Sequence, residues 1–231
     1  MEIRQWLSRV MMPYGASDFT AEIVMRGDCR AALDIGCGRN SHLSKFRPKI
    51  VTTGIDACAD SVEDAKKANV HDRYIIADVL KDNVEGLRFS TEQETFDLVT
   101  LYGVIEHMPK RRGLDMLEKC EQLTSKYVLL ETPNGFVEQG PECGNKFQRH
   151  LSGWFPPDFE GLGYKVYGTT GTKYFRGYMA RAKFKVFGSE IPCLVCDVLA
   201  AWLLRIRNHP QHAFNLVAIK DVRGVPARGH L

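Results

Sequence analysis

The sequence predicts an α/β fold built on a mostly parallel sheet, and three observations lead there. Short apolar runs rich in β-branched residues recur at 30–35, 49–56, 73–78, 95–101 and 126–132. Segments with helical spacing, or rich in Ala, Lys and Glu, separate them, so strand and helix alternate. The runs are too uniformly apolar to wet one face, which suits strands covered by helices on both sides.

Taken in order, Ile3, Trp6, Leu7 and Val10 recur at helical spacing up to Pro13. A second helix is expected after Ser17 as N-cap, with Phe19, Ile23 and Val24 inward and an end at Gly27, so residues 1–28 read as N-terminal helices. The first strand breaks at Gly36-Cys37-Gly38, and 41–46 reads as the helix after it. The second strand ends on Asp56 and precedes a helix over 61–68; the third ends on Asp78. Pro109 suits the first turn of a helix running to about Leu123, and the fifth strand stops at Pro133-Asn134-Gly135. Beyond that, 136–149 reads as a lid-like loop and 154–162 as a short helix. Residues 164–168 and 214–220 are strand candidates. Between them lie a basic aromatic segment, 173–187, and an apolar helix over 191–207.

Composition bounds the rest. With 231 residues, 44% hydrophobic and 26% charged, the chain is expected to form one domain, 1–231. Lys and Arg exceed Asp and Glu by 31 to 28, a balance too mild to mark a nucleic-acid binder. Charges stand among the first residues where a secretion signal would be apolar, and the seven cysteines are scattered. A reducing, cytoplasmic location is therefore expected, with cysteines serving as small buried hydrophobes. Cys193-x-x-Cys196 has no second pair to complete a zinc site and reads as core. The most apolar window, 191–206, is interrupted by Asp197 and Arg205 and falls short of the roughly 20 residues that cross a bilayer. Contact with membranes is thus peripheral at most.

The chemistry gathers at the strand ends. Two glycines after a buried strand allow a tight bend and let a ligand lie against the main chain. The dinucleotide fingerprint wants a third glycine where Ser41 stands, and Asp34, just ahead of Gly36, would repel a diphosphate. An acid there suits an ammonium group. Asp56, roughly 20 residues on, is placed to accept from ribose hydroxyls, and Asp78 from an adenine amine. Amine, ribose and adenine without a diphosphate outline S-adenosylmethionine.

On these residues the sequence resembles the class I S-adenosylmethionine-dependent methyltransferases. Leu33-Asp-Ile-Gly-Cys-Gly38 is similar to their glycine motif, Gly54-Ile-Asp56 to the ribose acid, and Ala77-Asp78-Val79 to the adenine-side acid. The run from Phe96 to Pro109 resembles their fourth strand and the Glu-His after it. A looser similarity, carried by Glu106-His107 and residues 150–159, points to small-molecule enzymes of the ubiquinone-biosynthesis type. The resemblance implies a Rossmann-like sheet of seven strands, order 3-2-1-4-5-7-6, with strand 7 antiparallel and Val166 and Leu216 on strands 6 and 7. It implies cofactor contacts from Asp34, Gly36, Cys37, Gly38, Asp56, Ala57, Asp78, Val79, Leu101 and Tyr102, with S-adenosyl-L-homocysteine as product. The long insertion at 172–212 departs from the family, where a short turn is usual.

Methyl transfer from a sulfonium is an in-line displacement that needs alignment and dryness, not a metal, and the sequence offers no convincing metal site. A hydroxyl or ammonium acceptor must lose a proton; His107, after the fourth strand, is the first candidate base and His150 the second. Each also reads as an ordinary packing or loop residue, and each of the three acids as a cap or turn former. The preferred acceptor is a small molecule or a lipid- or carrier-linked one. A nucleic-acid or protein methyltransferase, a binding-only relative, and a dinucleotide oxidoreductase are the alternatives. Lys173, Arg176, Arg181, Lys183 and Lys185 alternate with aromatics, which reads as a strand with a solvated basic face in preference to a site for an anionic partner. The apolar stripe of 191–206 is expected to serve as a lid or a homodimer contact ahead of a membrane surface.

Overall fold

The computed structural model describes residues 15–26, 29–39, 41–82, 86–87, 95–140, 148–177, 180–185 and 188–223. The expected helix at 2–12 lies outside them, as does part of the lid-like loop. Seven strands form one sheet: β1 (Ala31–Ile35), β2 (Val51–Asp56), β3 (Arg73–Ile76), β4 (Phe96–Tyr102), β5 (Thr124–Pro133), β6 (Lys165–Thr172) and β7 (Ala213–Asp221). Their order is β3-β2-β1-β4-β5-β7-β6, as the resemblance implied. β1 pairs in parallel with β2 and β4, and β2 with β3. β7 runs against β5, because Asn134 N–H donates to Phe214 O at one end and Val222 N–H to Lys126 O at the other. Val166 and Leu216 do fall on β6 and β7.

Among the described residues, five α-helices accompany the strands: α1 (Ala16–Arg26), α2 (Ala59–Ala68), α3 (Lys110–Leu123), α4 (Pro156–Glu160) and α5 (Ile191–Leu203). α1 starts one residue before the expected cap; Asp18, not Ser17, closes its first turn by accepting from Gly15 N–H at 2.9 Å. α2 ends at Asn69, which takes the left-handed conformation (φ 52°) that lets its N–H reach the last carbonyls. The expected helix at 41–46 is a short 3-10 stretch, His42–Phe46, capped by Ser41. Arg47 keeps helical angles (φ −47°, ψ −36°), and Pro48 after it has no N–H with which to continue the stretch. α4 is shorter than the expected 154–162 helix; Asp158 caps it from Phe155 N–H at 2.7 Å.

The described residues fall into two compact units. One comprises Thr20–Ile105, Lys110–Leu130 and the chain from Ile219; the other comprises Phe19 and the residues before it, Glu106–Pro109 and Glu131–Ala218. In the first, all five residues of β1 are buried, and Ile55, Leu98 and Leu101 are likewise closed off from solvent. Val62 and Ala65 of α2 and Met116, Leu117, Cys120 and Leu123 of α3 are buried with them. Each large side chain so buried contributes about 1.5–3 kcal/mol. In the second, Trp154 stacks on Phe159 at 5.1 Å, both fully buried.

The insertion departs from expectation in two ways, in its basic aromatic segment and at Cys196. The described residues of 173–187 form no strand: Gly177 N–H donates to Arg181 O and Lys183 N–H to Phe175 O, closing a tight loop that leaves Tyr174 and Phe184 about half exposed. Ladder pairing would have needed a second extended partner, which this loop supplies only at the Arg176–Ala182 bridge. α5 buries a narrow face of Cys193, Asp197 and Ala201 and turns Ile191, Val195, Leu199, Trp202 and Leu203 outward. The anchor is polar: Asp197 accepts from Thr172 N–H and Oγ1 and from Arg176 Nε at 2.6 Å. Cys196, expected in the core, is exposed because only one side of the helix is covered. The six cysteines described are all free.

Candidate functional site

The parallel register decides which strand ends stand side by side. Ile35 is level with Ile55 and Leu101, and Asp56 with Ile76. Gly36, Asp56, Ile76 and Tyr102 therefore occupy one row across β1–β4 at the carboxyl edge, where open α/β sheets bind ligands. Four of the expected cofactor residues, Gly36, Asp56, Leu101 and Tyr102, lie in or next to this row, with Asp78 just past the end of β3.

The glycine turn is held to β2: Gly36 N–H donates to Ile55 O at 2.8 Å and Cys37 N–H to the same oxygen at 3.3 Å. Gly36 is left-handed (φ 70°), and a Cβ there would come within 2.6 Å of Val104 Cγ2. Gly38 is also left-handed (φ 40°), but a Cβ there would meet nothing within 4 Å. The first glycine thus answers to packing, while the second leaves main chain beside open space that a ligand could fill.

Asp34 lies behind the turn, essentially closed to solvent. Its Oδ1 accepts from Thr100 Oγ1 at 2.7 Å, and its Oδ2 stands 3.3 Å from His71 Nε2. His71 is fully buried, and the approach to Asp34 is too oblique for a hydrogen bond; neither ring nitrogen has a hydrogen-bond partner among the described residues. Gly54 makes room for this ring, since a Cβ there would meet His71 Cδ2 at 2.5 Å. Cys37 is buried beside the turn, and its thiol is pushed up to about 12, by burial first and then by the charges of Asp34 and Asp56. The turn is therefore electronegative.

Asp56 is half-buried and accepts from Cys58 N–H at 2.8 Å. Burial raises its carboxyl above the ordinary value, opposed by N–H donors of Cys58 and Gly38. Asp78 accepts from Leu80 N–H at 3.1 Å and meets the Lys81 ammonium at 3.2 Å, so it shapes the turn as well as edging the row. Ala57 is exposed beside Asp56, Val79 and Leu101 are buried, and the Tyr102 hydroxyl shares a 2.7 Å hydrogen bond with Thr20. The Tyr102 ring meets His42 edge-on at 4.6 Å.

In the other unit, a second group assembles. Glu106 and His107 lie on a single 3-10 turn, Ile105–His107, and His150 returns from the lid-like loop, with ring centroids of the two histidines 4.8 Å apart. Backbone bonds from Leu151 and Ser152 N–H to Glu106 O fix this return. Glu106 is buried, and Thr132 Oγ1 donates to its Oε2 at 2.9 Å. Burial pushes the Glu106 carboxyl up to about 7, and Glu131 adds to the shift. His150 Nδ1 stands 2.6 Å from Val137 O and His107 Nδ1 3.3 Å from Arg149 O. Burial lowers the His150 pKa, so its neutral form prevails. One ligand atom each of Glu106, His107 and His150 lie within 4.8 Å of one another. The two expected catalytic histidines are thus brought together. Glu106 was not among the expected site residues, although its place beside His107 marked it; Thr100 and His71 carried no signal of their pairing with Asp34.

The fold is shared with solved methyltransferase structures. Residues 32–126 match the model of the family described as methyltransferase domain. No curated relative matches the chain. Among solved structures, a SAM-dependent methyltransferase from Archaeoglobus fulgidus is similar at 18% identity over 96% of this chain and 100% of that one, TM-score 0.53. The plantazolicin methyltransferase BpumL in complex with SAH follows at 20% over 92% and 83%, TM-score 0.51. Magnesium protoporphyrin IX methyltransferase from Synechocystis PCC 6803 with bound SAM matches at 14% over 89% and 77%, TM-score 0.51.

Proposed function

We propose that the protein is an S-adenosylmethionine-dependent methyltransferase acting on an O or N atom of a small-molecule or lipid- or carrier-linked acceptor. The observation that carries the reading is the electronegative glycine turn, with Asp34 behind it and Asp56 beside it in register. Negative potential at this position favours a ligand bearing ammonium and sulfonium charge and opposes a diphosphate. Bound there, S-adenosylmethionine supplies an electrophilic methyl group with a good leaving group.

The residues of this chain then have distinct tasks. Gly38 and its neighbours offer main-chain contact, Asp56 accepts from the ribose hydroxyls, Asp78 and Val79 border the base, and Tyr102 and Leu101 line the row. Asp34 acts through the turn it supports and is a positioning residue. Activation of the acceptor, which loses a proton as its new bond to carbon forms, is assigned to His107 and its neighbour His150, and such assistance is worth typically 10²–10⁴-fold. That the similar structures named above include a plantazolicin methyltransferase and a magnesium protoporphyrin IX methyltransferase supports a small-molecule acceptor.

Titration calorimetry of the full chain with S-adenosylmethionine, S-adenosylhomocysteine and NADH tests the reading. Binding of the two sulfur nucleosides without NADH is expected; preference for NADH would overturn it.

A further inference from the structure

We propose that the outward face of α5, together with the basic loop fastened to it, docks on an anionic lipid bilayer and holds the protein at a membrane surface. The inference stands apart from the methyl-transfer reading and lies within the stretch Glu131–Ala218 of one compact unit.

A helix on the surface of a protein in water ordinarily turns its apolar stripe inward and its polar one outward. α5 does the reverse. Its one charged residue, Asp197, is fully buried and accepts from Thr172 and Arg176. Ile191, Val195, Leu199 and Trp202, three or four residues apart and so on one side, are 46–74% exposed, with Leu203 beside them. The helix is fastened from behind at two further points: Cys193 Sγ donates to Phe175 O at 3.4 Å, and Ala201 packs with Ile206 and Ala213. The apolar face is therefore carried on a fixed helix. Large apolar side chains gathered on one exposed face, unlike those scattered singly, mark an interaction site.

Charge says what the partner is. Between 172 and 212 stand seven basic residues against two acids, Glu190 and Asp197. Arg176 pairs with Asp197, and Lys185 with Glu190 at 3.8 Å where α5 begins. Lys173, Arg181, Lys183, Arg205 and Arg207 make up the excess. Arg181 and Lys183 are exposed on the loop, in company with half-exposed Tyr174 and Phe184, and Arg205 is exposed just past the last turn of α5. Apolar side chains with a Trp among them, rimmed by Lys and Arg, suit a helix lying in the interface of an anionic membrane. Each cation brought near such a surface strengthens binding about fivefold. The contact is with the surface alone, because no described helix is long and apolar enough to cross a membrane.

A second copy of the chain suits this face less well. α5 is about 20 Å long, and its five outward side chains fall short of the roughly 20–30 residues a side that a stable interface uses. Because both ends of the stripe are basic, pairing two copies also sets cation against cation.

The test is co-flotation of the full chain with vesicles of equal parts phosphatidylcholine and phosphatidylglycerol, and with vesicles of phosphatidylcholine alone. Binding to the anionic vesicles is expected, at least about tenfold tighter than to phosphatidylcholine and weakened by added salt. Trp202→Ser should lose about tenfold or more, the contribution of one large apolar side chain, and should abolish the blue shift in tryptophan emission that vesicles produce in wild type. The double variant Arg181→Gln/Arg205→Gln should lose about 25-fold on anionic vesicles, and it carries the comparison should Trp202→Ser fail to fold. No binding to the anionic vesicles, equal binding to both kinds, or affinity unchanged in these variants overturns the proposal. A dimer in sedimentation equilibrium that Trp202→Ser dissociates, without vesicle binding, overturns it in favour of a second copy.

Discussion

Replacing Gly36 by alanine probes the turn on which the cofactor reading depends. Two costs add. An L-residue at φ 70° gives up about 1–2 kcal/mol to the left-handed conformation. The new methyl would also overlap Val104, whose Cγ2 stands 2.6 Å from its position and Cγ1 3.4 Å, so the valine must turn or shift, an overpacking cost of about 1–3 kcal/mol. Together Gly36→Ala should lose roughly 2–5 kcal/mol, or about 5–15 °C in Tm for a chain of this size. Urea denaturation followed by circular dichroism measures it. A double-mutant cycle with Val104→Ala should recover the overlap and leave the backbone cost. A Gly36→Ala loss below about 0.5 kcal/mol refutes the conformational argument, and a full loss that Val104→Ala does not relieve refutes the overlap.

The remaining predictions are simpler. Asp56→Ala should weaken S-adenosylmethionine binding by about 1–3 kcal/mol, about 5- to 150-fold by calorimetry, through loss of hydrogen bonds in a half-buried site; unchanged affinity removes Asp56 from the ribose. Asp197→Ala should destabilise the unit holding α5 by about 3–5 kcal/mol, because it leaves Arg176 buried without its partner. Trp202→Ser, at a side chain 74% exposed, should stay within about 0.5 kcal/mol of wild type, both read by thermal unfolding. Burial works to raise Asp97, but N–H donors of Arg30 and Ala31 and the Lys126 ammonium at 3.2 Å hold its carboxyl below the ordinary value. A depressed folded pKa gives stability that is present above the unfolded value near 4 and is lost as pH falls through the folded one. Stability against pH should therefore be flatter in Asp97→Asn below about pH 4, and parallel curves would refute the role.

What could be read from residues alone followed from how local the cause was. The five strands leading to Pro133 were legible because buried parallel strands need uninterrupted apolar runs, and their order followed only from the family resemblance. The row of Gly36, Asp56 and Tyr102 was legible because each closes its own strand. Asp34 shows the limit: its place ahead of Gly36 suggested a ligand contact, whereas its neighbours Thr100 and His71 arrive from β4 and the chain before β3 and announce themselves nowhere in the sequence. The insertion shows another limit: alternating basic and aromatic residues read as a strand, yet Gly177 N–H donates to Arg181 O and Lys183 N–H to Phe175 O to close a loop. Asp197, an interruption of the apolar stripe in the sequence, fastens α5 through its buried ion pair with Arg176. Likewise, Glu106 and His150 are far apart in sequence, and only the return of the loop after β5 closes the triad.

The turn after β1 also explains why a Rossmann-like strand–glycine–helix segment need not take a diphosphate. Such a ligand is held by two sources of positive potential, the N–H groups of a helix start and the dipole of the helix behind them. Here the element after the glycines is a five-residue 3-10 stretch, too short to build a substantial dipole, and Ser41 already occupies one of its leading donors, Leu43 N–H at 3.1 Å. Asp34 and Asp56 add two carboxylates beside the turn, whose charges join burial in raising the Cys37 thiol. On the function proposed above, removing the attraction and adding two carboxylates converts an anion cradle into one for a cation, the short helix and the acids acting together.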